Sequence, residues 1–186
     1  MRRLIVGNFL VAAGVVLLTM PAAHFVTGWR AQSVEVPAAP AALARQRPSE
    51  GEPLGRLVLP RLGLDLVVFE GTSDETLRKG PGHLSGTAWP DAGLAGGNCV
   101  IAGHRDTFFR KLASARTNDV LRVHGPSGIS TYRLRERRIV GPEEAWVAAR
   151  TAEPRITLIT CYPFGYVGAA PYRLVWSATP VESAAR

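Results

Sequence analysis

Between residues 54 and 178 the apolar residues come in short runs, and glycine, proline or a charged residue closes most of them. LVL, LDLVVF, NCVIA, DVLRVH, ISTYRL, RITLIT and LVW are β-branched or alternate with polar positions, which is the pattern of strands. Seven or eight such strands with minimal helix predict a mostly β fold, a small and mostly antiparallel barrel or sandwich with one core. No internal repeat is visible.

Residues 55–62 (GRLVLPRL) open the folded part, and Pro60 within them predicts an edge strand or a bulge. A strand is expected at 64–69. Ser73, Asp74 and Glu75 have the chemistry of a helical first turn, whereas residues 79–89, heavy in Gly and Pro, predict a loop. Residues 98–102 (NCVIA) predict a strand ending at Gly103-His104. After it, Phe108, Phe109, Leu112 and Ala115 fall at helical spacing within 106–115, with Asp106 or Thr107 as cap. Residues 119–124 and 129–134 flank Gly125-Pro126-Ser127-Gly128, the composition of a hairpin turn. A short strand at 138–140, a helical turn near Pro142 and strands at 155–160 and 174–176 complete the pattern, with a tail from Ser177 that looks frayed.

The other constraint is N-terminal. Residues 4–29 contain no Lys, Arg, Asp or Glu, and Met1-Arg2-Arg3 precedes them. A helix of this length crosses a hydrocarbon layer of roughly 30 Å, and the positive-inside rule puts its N-terminus in the cytoplasm. Residues 1–29 are therefore expected to be a cytoplasmic N-terminus and single-pass transmembrane signal-anchor in the plasma (inner) membrane. The competing reading is a cleaved signal peptide, for which Pro21-Ala22-Ala23 offers small residues. Residues 30–53, rich in Ala and Pro, predict a linker, 54–180 the extracytoplasmic folded domain, and 181–186 a tail.

Twenty-two Lys and Arg against 15 Asp and Glu give a net charge of +7, but only Lys79 and Lys111 are lysines and the arginines are scattered. Scattered charge of this kind is a solvated surface and gives no reason to expect nucleic acid. Two distant cysteines allow one disulfide at most.

Cys161 follows the strand 155–160, and Arg173 opens the next strand, one loop later. If those strands are neighbours, a thiol and a permanent cation come together, which favours the thiolate and supplies donors to a developing oxyanion. The missing proton carrier has four candidates. His24 lies in the apolar N-terminal run, His124 at the hairpin, and His83 in a Gly-rich loop without polar company. His104 ends a strand, the position that Cys161 also occupies. No second His, Cys or paired carboxylate stands near it at ligand spacing, so neither metal nor cofactor is expected.

ITLITC (156–161) matches the TLxTC signature of sortases, with Arg173 twelve residues beyond the cysteine. NCVIAGHRDTFF (98–109) resembles the sortase segment that carries a catalytic histidine, and GRLVLPRLG (55–63) is similar to the opening strand of that fold. The resemblance covers residues 54–178 in matching order, and the CYPFGYVGAAPYR connection is most similar to class D sortases.

What the resemblance implies is an eight-stranded sortase-type β-barrel with short helices, preceded by the transmembrane helix, and a cysteine transpeptidase. Cys161 would attack an LPxTG-like sorting signal between Thr and Gly and form a thioester. His104 would serve as general acid and base and Arg173 as oxyanion donor, with Thr160 adding a backbone or hydroxyl contact at the same hole. The implied partner is an envelope or surface protein carrying a C-terminal sorting signal, together with an amine acceptor that the sequence does not identify. Cys99 is expected to be buried and Cys161 exposed. Two alternatives stay open at this point: a thiol hydrolase on the same fold, and a non-catalytic barrel in which Cys99 and Cys161 form a structural disulfide.

Overall fold

Leu57 and Leu59 on one strand and Leu64, Leu66 and Val68 on the next alternate inward, giving a first hairpin one buried face. A computed structural model describes residues 27–34, 48–89, 97–125 and 128–181. The hairpin consists of β1 (Pro53–Leu59) and β2 (Leu64–Glu70), paired antiparallel. Pro60 sits in neither an edge strand nor a bulge. It ends β1 and opens the 3-10 turn Pro60–Leu62, because a residue without an N–H cannot continue the ladder.

Ser73 caps the helix Asp74–Lys79, its hydroxyl accepting from the Thr76 N–H. Within the expected loop that follows lies β3 (Gly82–His83), two residues too short to leave a periodic signal. Then come β4 (Asn98–Ala102), β5 (Val120–Gly125) and β6 (Gly128–Val140). The strand expected at 138–140 is the second half of β6, and a register shift between Leu134 and Glu136 breaks the alternation that would have shown one element. β7 (Arg155–Tyr162) and β8 (Tyr172–Pro180) complete the sheet. Ser177 is not a frayed tail: β8 runs on to Pro180, opposite Tyr132 of β6.

The strands close in the order β1-β2-β3-β4-β7-β8-β6-β5, with β1 against β5 as the seam. The fold is thus mostly β, an eight-stranded closed barrel with a few short helices. Two pairings are parallel, β2 with β3 and β4 with β7. Inside lie Ile101, Leu121, Leu134, Ile156, Leu158 and Trp176, with Tyr132 almost fully covered. Burial, and then the neighbouring Cys99, pushes the Tyr132 phenol up to about 12.

Ahead of the barrel, residues 27–32 are helical and rest on β2. The Gln32 amide binds the backbone of Val67 in both directions: Nε2 donates to Val67 O at 3.1 Å, and Val67 N–H donates to Oε1 at 2.6 Å. Nε2 also donates to Lys79 O at 3.1 Å. Position 80 favours glycine, since a Cβ there would stand 2.9 Å from the backbone Val67 O and 2.8 Å from the Phe69 ring. Of the expected membrane anchor, residues 1–29, residues 1–26 lie outside the described residues; among those described, no helix is long and apolar enough to cross a membrane.

Candidate active site

Because β4 and β7 are parallel, both strands end at the same rim of the barrel. Ala102, the last residue of β4, is the partner of Ile159; Cys161 lies two residues further along β7, and His104 two residues beyond the end of β4. On the other flank β8 runs antiparallel and sets Arg173 opposite Cys161. Cys161 and Arg173 therefore face each other on adjacent strands about 4.8 Å apart, and His104 follows just past the end of the neighbouring β4. All three are half-buried.

Hydrogen bonds fix this arrangement from beneath. Gly103 N–H donates to Ile159 O at 3.1 Å, and Thr160 Oγ1 donates to Gly103 O at 2.7 Å. The residue before His104 is thereby tied to the two residues before Cys161. Thr160 faces the core, so its hydroxyl contributes no contact to an oxyanion hole; it holds the end of β4 instead. Gly103 must be glycine, because a Cβ there would stand 2.8 Å from the Phe109 ring.

The α-helix expected from a cap at Asp106 or Thr107 does not form. Phe109 N–H donates to His104 O at 3.0 Å, and only the 3-10 helix Arg110–Ser114 follows. Phe109 and Leu112 are the buried residues of this loop, and a single tight turn brings both into the core. Arg105 spans the rim from here. Its Nη2 donates to Tyr166 O at 2.7 Å and to Gly168 O at 3.0 Å, fastening the His104 loop to the connection between β7 and β8. Sequence reasoning passed over Arg105, for an arginine in a loop gives no periodic signal.

Arg173 bends back onto that same connection, Nη1 donating to Ala170 O at 3.1 Å and to Tyr172 O at 3.0 Å. Nε and Nη2 have no protein acceptor among the described residues, so they are available to a bound carbonyl. Neither cysteine is in a disulfide. Cys99 is 1% exposed and points into the barrel at the level of Ile156, while Cys161 lies on the outer face five residues further along. The two sulfurs are on opposite sides of one sheet and about 16 Å apart along it, which overturns the structural-disulfide alternative.

The expectation for His83 also changes. It is buried with polar company: Nδ1 lies 2.7 Å from Glu70 Oε2, and Nε2 lies 2.9 Å from Thr87 Oγ1. The network joins β3 to the chain on either side of it, away from Cys161, and its role is to hold the barrel where a two-residue strand cannot.

Below the Cys161–Arg173 pair the outer side of the sheet carries Ile159 beside Val175 and then Thr157 beside Ser177, with Ile159 and Ser177 half-buried and Val175 and Thr157 buried. Its far end is a cleft walled by Trp146 and Val147 of the connection between β6 and β7. Asn98 pins that wall, donating to Val147 O at 3.0 Å and Ala149 O at 3.1 Å while accepting from Thr157 Oγ1 at 2.7 Å. The arrangement offers a half-covered thiol, a neighbouring imidazole, a guanidinium with spare donors and a strip along which an extended peptide can lie.

Residues 57–181 match the family model of the sortase domain. Sortase D of Bacillus subtilis (strain 168) is 35% identical over 130 residues, covering 69% of this chain and 64% of that protein. Sortase A of Listeria monocytogenes is 29% identical over 112 residues, covering 58% of this chain and 49% of the relative. The chain thus spans less than two thirds of either relative's length. The X-ray structure of Clostridium perfringens sortase C with the C-terminal cell wall sorting motif superposes with a TM-score of 0.66 at 26% identity, covering 73% of this chain and 74% of the other.

Proposed function

For a chain that belongs to the sortase family, we propose a membrane-anchored cysteine transpeptidase of class D type, with Cys161 as nucleophile, His104 as general acid and base, and Arg173 as oxyanion donor. The substrate is a C-terminal sorting signal of LPxTG type on an envelope or surface protein, a reading supported by the sorting motif named with the Clostridium perfringens sortase C. One observation carries it: Cys161 pairs with Arg173 across β7 and β8, while His104 leaves the end of the parallel neighbour β4.

The Cys161 thiolate adds to the carbonyl carbon of the Thr, forming a C–S bond, and the oxyanion accepts hydrogen bonds from the spare donors of Arg173. The adduct collapses, the C–N bond to Gly breaks, and protonated His104 gives its proton to the departing amine. The incoming amine then attacks the thioester, His104 takes a proton from it, and the thiolate leaves as the new amide forms. Lys could not replace Arg173 in kind, because the planar guanidinium keeps some donors on the loop carbonyls while offering others. Losing one oxyanion donor costs about a hundredfold or more in rate, the loss expected for Arg173→Ala.

Residues 1–29 are proposed as the single-pass anchor, with the linker 30–53 and the barrel 54–180 outside the plasma membrane. Intact-protein mass spectrometry after mixing with LPxTG-type peptides tests the chemistry. Wild type should gain the mass of the acyl fragment and Cys161→Ala should not; equal adduct on the Ala variant overturns the assignment. With an added amine, ligated product identifies a transpeptidase, whereas hydrolysed peptide alone identifies a thiol hydrolase.

A further inference from the structure

The outward-facing residues of β7 are Cys161, Ile159, Thr157 and Arg155, each two positions from the next. At about 3.3 Å per residue, Thr157 lies about 13 Å and Arg155 about 20 Å from the nucleophile. An extended peptide advances at the same rise. With its Thr carbonyl at Cys161, the Leu of an LPxT segment comes about 10 Å along, and the two residues before it come about 13 and 17 Å along, level with Thr157 and Ile156 and within reach of the long side chain of Arg155.

The acyl part of the substrate is the part that belongs on this strip. It stays attached through the thioester, while the departing and arriving amines need the open rim beside His104. The strip ends in the cleft lined by Glu136, Arg138, Trp146 and Arg155. Its two arginines differ in state. Arg138 is already matched, 2.7 Å from Glu136 and stacked over Trp146 at 5.3 Å. Arg155 is exposed, and no carboxylate stands within ion-pair distance of it among the described residues. The cleft therefore carries one uncompensated positive charge at its far end.

We propose that Arg155 reads an acidic side chain, Asp or Glu, one or two positions upstream of the sorting motif, so that this chain selects among sorting signals by the charge that precedes them. The inference rests on the transpeptidase reading and extends the site beyond the four motif residues. The pairing is solvent-exposed, so its effect is modest and sensitive to salt.

The test uses three LPxTG-type peptides that are identical except for Asp, Ser or Lys at the two positions before the Leu. Acylation by the wild-type chain at low ionic strength should follow the order Asp, Ser, Lys in kcat/KM, with about two- to fivefold between Asp and Ser. The spread should shrink in 0.5 M salt, and Arg155→Glu should invert the order. Equal rates for all three peptides at low salt would overturn the role of Arg155 and leave the transpeptidase reading standing. If none of the three acylates Cys161, the sorting-signal reading itself falls and this one with it. The peptide series on wild type decides the matter even if the Arg155 variant fails to fold.

Discussion

Arg105 shows how much a single side chain can carry at the rim. Its guanidinium spans two loops and gives two hydrogen bonds to backbone carbonyls, an arrangement that a rigid fork supports and a shorter chain does not. Arg105→Ala should lower kcat/KM in the acylation assay by about tenfold, since charge-assisted hydrogen bonds of this kind are worth about 1.5 kcal/mol or more. The melting temperature should change little, and Arg105→Lys should recover part of the activity; a full-rate Ala variant would remove Arg105 from the positioning of His104. At this scale the sequence was partly legible. Cys161, His104 and Arg173 could be singled out because each stands at the junction of an apolar run and a breaker. The Thr160 hydroxyl was misplaced because its orientation depends on the pleat, and the partners of His83 come from β2 and from a loop, which no local pattern connects.

Among the elements, strands of five or more residues could be found from their alternation, and the two-residue β3 could not. The bulge in β6 made one strand look like two, and the 3-10 helix Arg110–Ser114 mimicked a longer helix because Phe109 and Leu112 keep helical spacing across a single turn. Least visible was the docking of residues 27–32, for the surroundings of Gln32 carry no periodic pattern. Gln32 supplies Val67 with both backbone partners that a neighbouring strand would otherwise provide, and Gly28 of the same segment packs against Phe108 in the His104 loop. Gln32→Ala leaves the Val67 N–H and C=O in a buried position without these bonds, at a cost of about 1–3 kcal/mol. Hydrogen exchange should report it as faster exchange of the Val67 amide, with the amides shared by β6 and β8 unchanged. An equally slow Val67 amide in the variant would mean that the segment merely lies alongside.

For the whole molecule, the parallel contact of β4 with β7 decides that His104 and Cys161 leave their strands at one rim, and a sequence does not announce which strands will be parallel. Closure depends on a short seam, with Arg56, Leu57 and Val58 of β1 opposite β5. Beside it Arg61, just after β1, grips Asp119, just before β5, and also donates to Ser114 O at 2.6 Å. The Arg61 guanidinium, helped by the Arg116 N–H, holds the Asp119 carboxyl below the ordinary carboxylate range against the opposing effect of burial. A depressed value means that the contribution is complete above about pH 4, the unfolded value, and is lost as the pH falls through the lower folded one. Asp119→Asn should thus destabilise the chain by about 1 kcal/mol at pH 7, and the gap from wild type should close below about pH 4 in denaturant titrations. A gap that persists at low pH would assign the loss to packing.

The opposed facing of the two sulfurs has a chemical price. When peroxide converts the outer thiol to a sulfenic acid, the inner sulfur cannot reach it to condense, so the damage has no repair within the molecule. Recovery then depends on a reductant supplied from outside, and without one the oxidation proceeds to sulfinic acid and the proposed nucleophile is permanently lost.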